Sequence, residues 1–272
     1  MPAVSDGRAG DQAWIAKLKT QFPVPGSEFP VRVLGSENQE RGTENSTANQ
    51  ELEPGTWNPE PGTELAMART LKITLSYDGT RYVGWQRQAS GESVQGLLEE
   101  AVARFEGNAV SAQGAGRTDA GVHALGQVAS VQVTCGHPVE TMARGLNAWL
   151  PPDVRVIKVE DAAEGFHARF SARSKTYRYL LRNASPVSPF ERAYVWHVPE
   201  TLDVSAMQTA ATVLVGTHDF SSFCSAGSNV SGSVRTVSRS MIDYIEADLV
   251  PYISSREEHT LLTYEVSANG FL

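Results

Sequence analysis

Leu71, Ile73, Leu75 and Tyr77 alternate with more polar residues, which predicts a strand with one buried face. Val94, Leu97, Leu98, Ala101, Val102 and Phe105 then fall at helical spacing, with Ser93 placed to cap the helix start and Gly107 to stop it. A short strand follows near residues 109–113, and Ala129, Val131, Val133 and Cys135 alternate again. Val139, Met142, Ala143, Leu146 and Leu150 give a second helical stripe between Pro138 and Pro151-Pro152, and the segment around Val154 and Val156 reads as a strand. This order, βαββαβ, is that of a ferredoxin-like unit. It then begins again. Residues 171–182 read as a strand, Val204, Met207, Ala211 and Leu214 as a helix closed by Gly216, and residues 237–245 and 260–266 as two strands. The expected fold class is α+β, with two ferredoxin-like halves forming a central, mainly antiparallel sheet with flanking helices. The second half reads as incomplete, lacking its last helix and strand, and such a half would leave a sheet edge bare.

Residues 1–66 show no sustained periodicity and are rich in Pro, Gly, Glu, Asn, Ser and Thr, so they are expected to form a disordered extension. Residues 67–165 form the first expected subdomain and residues 166–272 the second. The net charge of -8 counts against a general attraction to phosphates, but its distribution changes that picture. The extension holds 5 of the 23 basic and 10 of the 31 acidic residues, which leaves 18 basic against 21 acidic in the rest. Within that rest, Arg169, Arg173, Lys175, Arg178 and Arg182 crowd one short segment that contains no acid, and a local positive face is expected there. No apolar run reaches the roughly 18 residues of a membrane span, and the start resembles neither a secretion signal nor a transit sequence. A cytoplasmic protein with no membrane partner is expected. Cys135 and Cys224 are the only cysteines and suggest neither a disulfide framework nor a metal site.

The chemistry centres on Gly116-Arg117-Thr118-Asp119-Ala120-Gly121-Val122-His123-Ala124, a glycine-bounded polar loop with one central carboxylate. Arg117 is placed to hold Asp119 ionised, and an oriented carboxylate can serve as nucleophile or base. An anonymous Arg-x-Asp is more often a plain surface ion pair. The stretch, however, resembles the catalytic signature of the pseudouridine synthases of TruA type, which isomerise uridine in transfer RNA. The likeness extends in order through Tyr77-Asp78-Gly79-Thr80, Gly84-Trp85-Gln86, residues 166–172, Lys175-Thr176-Tyr177-Arg178-Tyr179, residues 216–223 and Arg235-Thr236.

The resemblance implies Asp119 as the catalytic residue, with Tyr177, Arg117 and Arg235 contacting substrate. It also implies tRNA as partner, the anticodon stem-loop as target, a homodimer and no cofactor or metal. Independently, Arg173, Lys175, Tyr177 and Tyr179 share one side of a strand, a mixture of cations and rings suited to phosphates and a stacked base. Tyr179 is expected to be a half-buried sheet residue with its hydroxyl at the rim. An alternative in which Asp119 and His123 bind a metal lacks a third ligand at recognisable spacing. His218 and Asp219 are expected to fix a loop. The second functional reading is a non-catalytic RNA-binding remnant.

Overall fold

The structure, a computed structural model, describes residues 31–37, 68–224, 232–245 and 261–271. The alternating stretch folds as β2 (Arg69–Tyr77), and its apolar positions Leu71, Ile73 and Leu75 are fully buried. Helix α1 (Val94–Glu106) starts where the Ser93 hydroxyl accepts the Gly96 N–H at 3.1 Å, and it ends at Gly107 in the left-handed conformation, φ +75°. There follow β3 (Ala112–Gly114), β4 (His123–Val133), α2 (Val139–Trp149) and β5 (Val154–Asp161). The later part contains β6 (Ser174–Arg182), β7 (Trp196–His197), α3 (Val204–Val213), β8 (Gly216–Asp219), β9 (Val234–Tyr244) and β10 (Leu261–Ala268).

These strands make one sheet in the order β5-β2-β4-β1-β6-β10-β9-β8, with β3 beside β4 and β7 beside β6. The pairings are antiparallel except β1 with β4 and β6 with β7. Helices and a mainly antiparallel sheet agree with the expected α+β class. Buried side chains of β2, α1, β4, α2 and β5 form one cluster that includes Leu98, Val102, Val131, Met142, Leu146 and Val154. At roughly 1.5–3 kcal/mol for each large side chain taken from water, this cluster is the main driving force of the first half. The second half is held by smaller groups, one of Leu181, Met207 and Leu262 and another of Leu180, Val195 and Leu261.

The structure corrects the expected disorder of residues 1–66 at one place. Val31–Glu37 is β1, and it lies inside the sheet, antiparallel to β6 and parallel to β4. The physical reason is that β6 has two edges, β10 covers only one, and a backbone edge left unpaired within a sheet is costly. The edge expected to be bare is thus covered on this side. The rest of the extension lies outside the described residues. Two boundaries also move: β4 begins at His123, within the nine-residue polar stretch, and Gly216, expected to close a helix, opens β8 at φ +119°.

Candidate active site

The polar loop between β3 and β4 is held from beneath by the turn that follows β2. Two glycines of that turn permit backbone to lie directly on backbone: a Cβ on Gly79 would stand 2.0 Å from the Val122 carbonyl oxygen, and one on Gly84 would stand 2.4 Å from that of Thr118. Gly84 also adopts φ +111°, a conformation other residues rarely accept. The contact is fastened by hydrogen bonds. The Trp85 N–H donates to the Thr118 carbonyl at 3.0 Å, and the Gly121 N–H donates to that of Tyr82 at 3.3 Å. The buried Thr118 hydroxyl meets the Tyr77 hydroxyl at 2.9 Å, and the Gln127 side chain donates to the Gly116 carbonyl at 2.7 Å. Burial drives the Tyr77 phenol well above its ordinary range, so it stays neutral.

His123 completes this foundation. Its Nε2 donates to the Ala193 carbonyl at 2.9 Å, and in that tautomer Nδ1 accepts the Gly79 N–H at 3.1 Å. Asp78 lies 3.0 Å from the same Nδ1 and accepts from the Tyr194 hydroxyl at 2.7 Å. With both ring nitrogens engaged and the side chain buried, His123 is a loop-fixing residue, and the idea of an Asp119–His123 metal site loses its second ligand.

Asp119 itself is exposed, at the top of the loop. Its carboxylate adds to the upward shift of two phenols, Tyr177 and Tyr179, which places all three groups in one electrostatic neighbourhood. Burial first, then Tyr179 and Asp119, push the Tyr177 phenol up to about 12. The Tyr177 ring packs partly against the first-half core and meets Phe271 edge-on at 4.7 Å. Tyr179 instead stacks on Tyr264 at 6.1 Å within the second-half cluster, in keeping with a packing residue.

The expected Arg117–Asp119 ion pair is not formed. Arg117 is exposed and has no carboxylate within 4 Å among the described residues, so it is directed to solvent or to whatever binds there. Nor does Arg235 pair with Asp119: it donates to the Gly232 and Val234 carbonyls and lies against Gly270. The expected positive face also divides. Arg178 is paired with Glu265 at 2.6 Å, and Arg182 is buried against Glu191 at 2.8 Å, so both are structural. Lys175 remains at the site, near Gly116, with Arg169 and Arg235 as its charged neighbours and no acid among the described residues within ion-pairing distance. Burial first, and then those two arginines, lower its pKa.

His218 and Asp219 behave as loop-fixing residues. The His218 ring nitrogen bonds the Val215 carbonyl at 3.1 Å, and Asp219 accepts the Ser221 N–H at 2.9 Å. Reading the sequence alone missed Gly79, Gly84 and Thr118 as the loop's foundation and Phe271 as the partner of Tyr177. The tyrosine at the end of β2 and the glycines two and seven residues beyond it were the available signal.

Comparison with known proteins identifies the family. A family described as tRNA pseudouridine synthase matches residues 73–171 and 210–272. A tRNA pseudouridine synthase A of Thermoanaerobacter sp. (strain X514) is 40% identical over 204 residues, covering 75% of this chain and 78% of that protein. Proteins of the same name from Myxococcus xanthus and Moorella thermoacetica are 44% identical over 183 residues and 42% identical over 204. The Myxococcus alignment covers 67% of this chain and 69% of that protein, and the Moorella alignment 74% and 78%. The loop that carries Asp119 and the turn after β2 on which it is locked thus lie within the matched residues, and the chain belongs to the tRNA pseudouridine synthase family, TruA type.

Proposed function

We propose that this chain converts uridine to pseudouridine in the anticodon stem-loop of transfer RNA, with Asp119 starting the reaction and no cofactor taking part. The observation that carries the reading is the exposed Asp119 carboxylate on a backbone-locked loop, close enough to the half-buried Tyr177 to raise its pKa. The isomerisation breaks the N1–C1′ glycosidic bond, turns the uracil while it stays bound, forms the C5–C1′ bond, and releases the C5 proton while N1 takes up another. Asp119 either adds covalently to the nucleoside or removes a ribose proton, and both routes need one positioned carboxylate. Tyr177 supplies a ring for the uracil, in keeping with the stacking platforms that hold unpaired bases. Arg117, Lys175 and Arg235, without acidic partners among the described residues, suit the phosphates on either side. The target uridine leaves its stack to reach Asp119, since its glycosidic bond is shielded inside a stem.

Two broader parts of the reading accompany this. The runs β2-α1-β3-β4-α2-β5 and β6-α3-β9-β10 are read as two ferredoxin-like halves, and a homodimer supplies the width that a folded RNA requires. Light scattering on the purified chain measures the dimer directly. The chemistry is tested with unmodified transfer RNA labelled with tritium at uridine C5. Release of tritium is expected from the parent, and Asp119→Asn should lower it by at least about 10³-fold with RNA affinity little changed. Binding without release by the parent would favour an RNA-binding protein without this activity. Turnover by the Asn variant within a few-fold of the parent would remove Asp119 from its role.

A further inference from the structure

The seat of β1 has a counterpart in the first half. There β2 is flanked by β4 on one side and by β5 on the other, both antiparallel. In the second half β6 is flanked by β10 on one side and by β1 on the other, again both antiparallel. Strand β1 therefore stands to β6 as β5 stands to β2, although it comes from far earlier in the chain. Unlike β5, it does not end the sheet. Its other edge meets β4 at Arg32↔His123 and Val33↔Ala124, where β4 leaves the Asp119 loop. β3 covers the same edge of β4 farther along, at Gly114↔Ala129.

Two residues of β1, Arg32 and Val33, thus bridge both functional strands. Val33 is in register with Ala124 on β4 and with Tyr177 on β6. Adjacent strands lie about 4.8 Å apart, so the span from the loop exit to the Tyr177 backbone is set by one strand width on each side of β1. Among the described residues no other strand pairing joins β6 to β4. We propose that Val31–Glu37 is a positioning strand of the active site, holding the Asp119 loop and Tyr177 in a single frame, and that turnover depends on it. The occupant is this chain's own segment. The catalytic part of the proposal rests on the reading given under Proposed function, whereas the seat of the strand does not.

Hydrogen exchange on the intact chain tests the seat. Amides of residues 31–37 should exchange at least about 10²-fold more slowly than in a free peptide, as expected of amides in a central strand. Exchange at the free-peptide rate overturns the proposal. So does protection that vanishes on dilution, because that outcome assigns the strand to a second copy. Val33→Pro in the full chain tests the catalytic part, since Val33 has paired neighbours on both sides and proline can donate to neither. Its kcat should fall at least about tenfold with KM for transfer RNA changed less than about threefold, and Val33→Ile should behave as the parent. Parental kcat in a folded Val33→Pro protein overturns the positioning role. If that variant fails to fold, removal of residues 1–38 with residues 28–40 supplied as a synthetic peptide replaces it, and failure of the peptide to raise kcat counts against the proposal. A parent that protects residues 31–37 yet releases no tritium removes the catalytic part together with the functional reading and leaves the seat standing.

Discussion

The two halves of the molecule are built on similar strand orders and differ in how firmly they are filled. In the first half β2, β4 and β5 lie under two helices, and their inner side chains join one buried cluster. In the second, α3 buries only Met207 and Ala211, while Val213, Val215, Phe223 and Val234 remain largely exposed. Asp119 is mounted on the well-packed half, and Tyr177, the ring proposed for the uracil, on the sparer one. That division suits the reaction. On the proposed reading, a carboxylate that must meet one atom of the nucleoside needs a fixed mount, whereas groups that accept a flipped nucleotide and its phosphates gain from some freedom to adjust.

The sharpest way to break this comparison is to loosen the firm half at the point where it holds the acid. In Gly79→Ala the new methyl group falls 2.0 Å from the Val122 carbonyl oxygen, a backbone atom with no rotamer to move aside. Restoring an ordinary contact moves the loop by more than about 1 Å, and a misplacement of that size costs on the order of 10²-fold in rate. We expect kcat to fall by about that factor, with transfer RNA affinity within a few-fold of the parent. A variant with parental kcat would show that the loop need not be rigid.

A smaller effect separates the two tyrosines. Tyr177→Leu should lower kcat by about 10- to 100-fold, on the view that its ring holds the uracil. Tyr179→Leu should lower kcat less than about threefold and act instead on melting temperature, because its ring is spent on Tyr264. Equal kinetic losses would assign both rings to packing, or both to substrate, and the division between the halves would blur.

These residues also mark how much could be read from the sequence. Strand β2 and helix α1, with its Ser93 and Gly107 ends, were legible because period and caps act within a few residues. The loop that carries Asp119 and the strand that carries Tyr177 were marked by motifs. Val31–Glu37 was not, since it has valines at two alternate positions and little else, and its pairing partners begin at His123 and Ser174. The same limit affected the cationic segment. Arg178 looked available because its partner Glu265 lies 87 residues later, and Arg182 because Glu191 sits beyond a turn. Charge clustering along a chain says nothing of which charges are answered across a sheet.

The packing contrast has its own measurement. Leu146→Ala, at a fully buried site in the first cluster, should cost about 2–5 kcal/mol of unfolding free energy. Met207→Ala, 9% exposed in a cluster whose other members are mostly only partly buried, should fall at or below the lower end of that range because its site can relax toward solvent. Denaturant titration compares them. If Met207→Ala costs as much as Leu146→Ala, the second half is as firmly filled as the first.

The smallest effect expected is at Lys175, where stability and binding should move in opposite directions. Its folded pKa lies below the ordinary lysine value, so the fold disfavours the charge at every pH below that folded pKa, where the ammonium is charged both folded and unfolded. Burial is the first cause, and Arg169 and Arg235 add repulsion. Lys175→Gln removes that burden and should leave the melting temperature equal or slightly raised. A phosphate arriving among the three cations reverses the balance, because it answers the charge that the protein leaves unpaired. The same variant should therefore bind transfer RNA about 3- to 10-fold more weakly at low salt, and the slope of log affinity against log salt should shrink by about 1. Binding titrations at several salt concentrations, beside a melting curve, give both signs in one comparison. A lower melting temperature with unchanged RNA affinity would make Lys175 a structural residue and confine the phosphate contacts to Arg117 and Arg235.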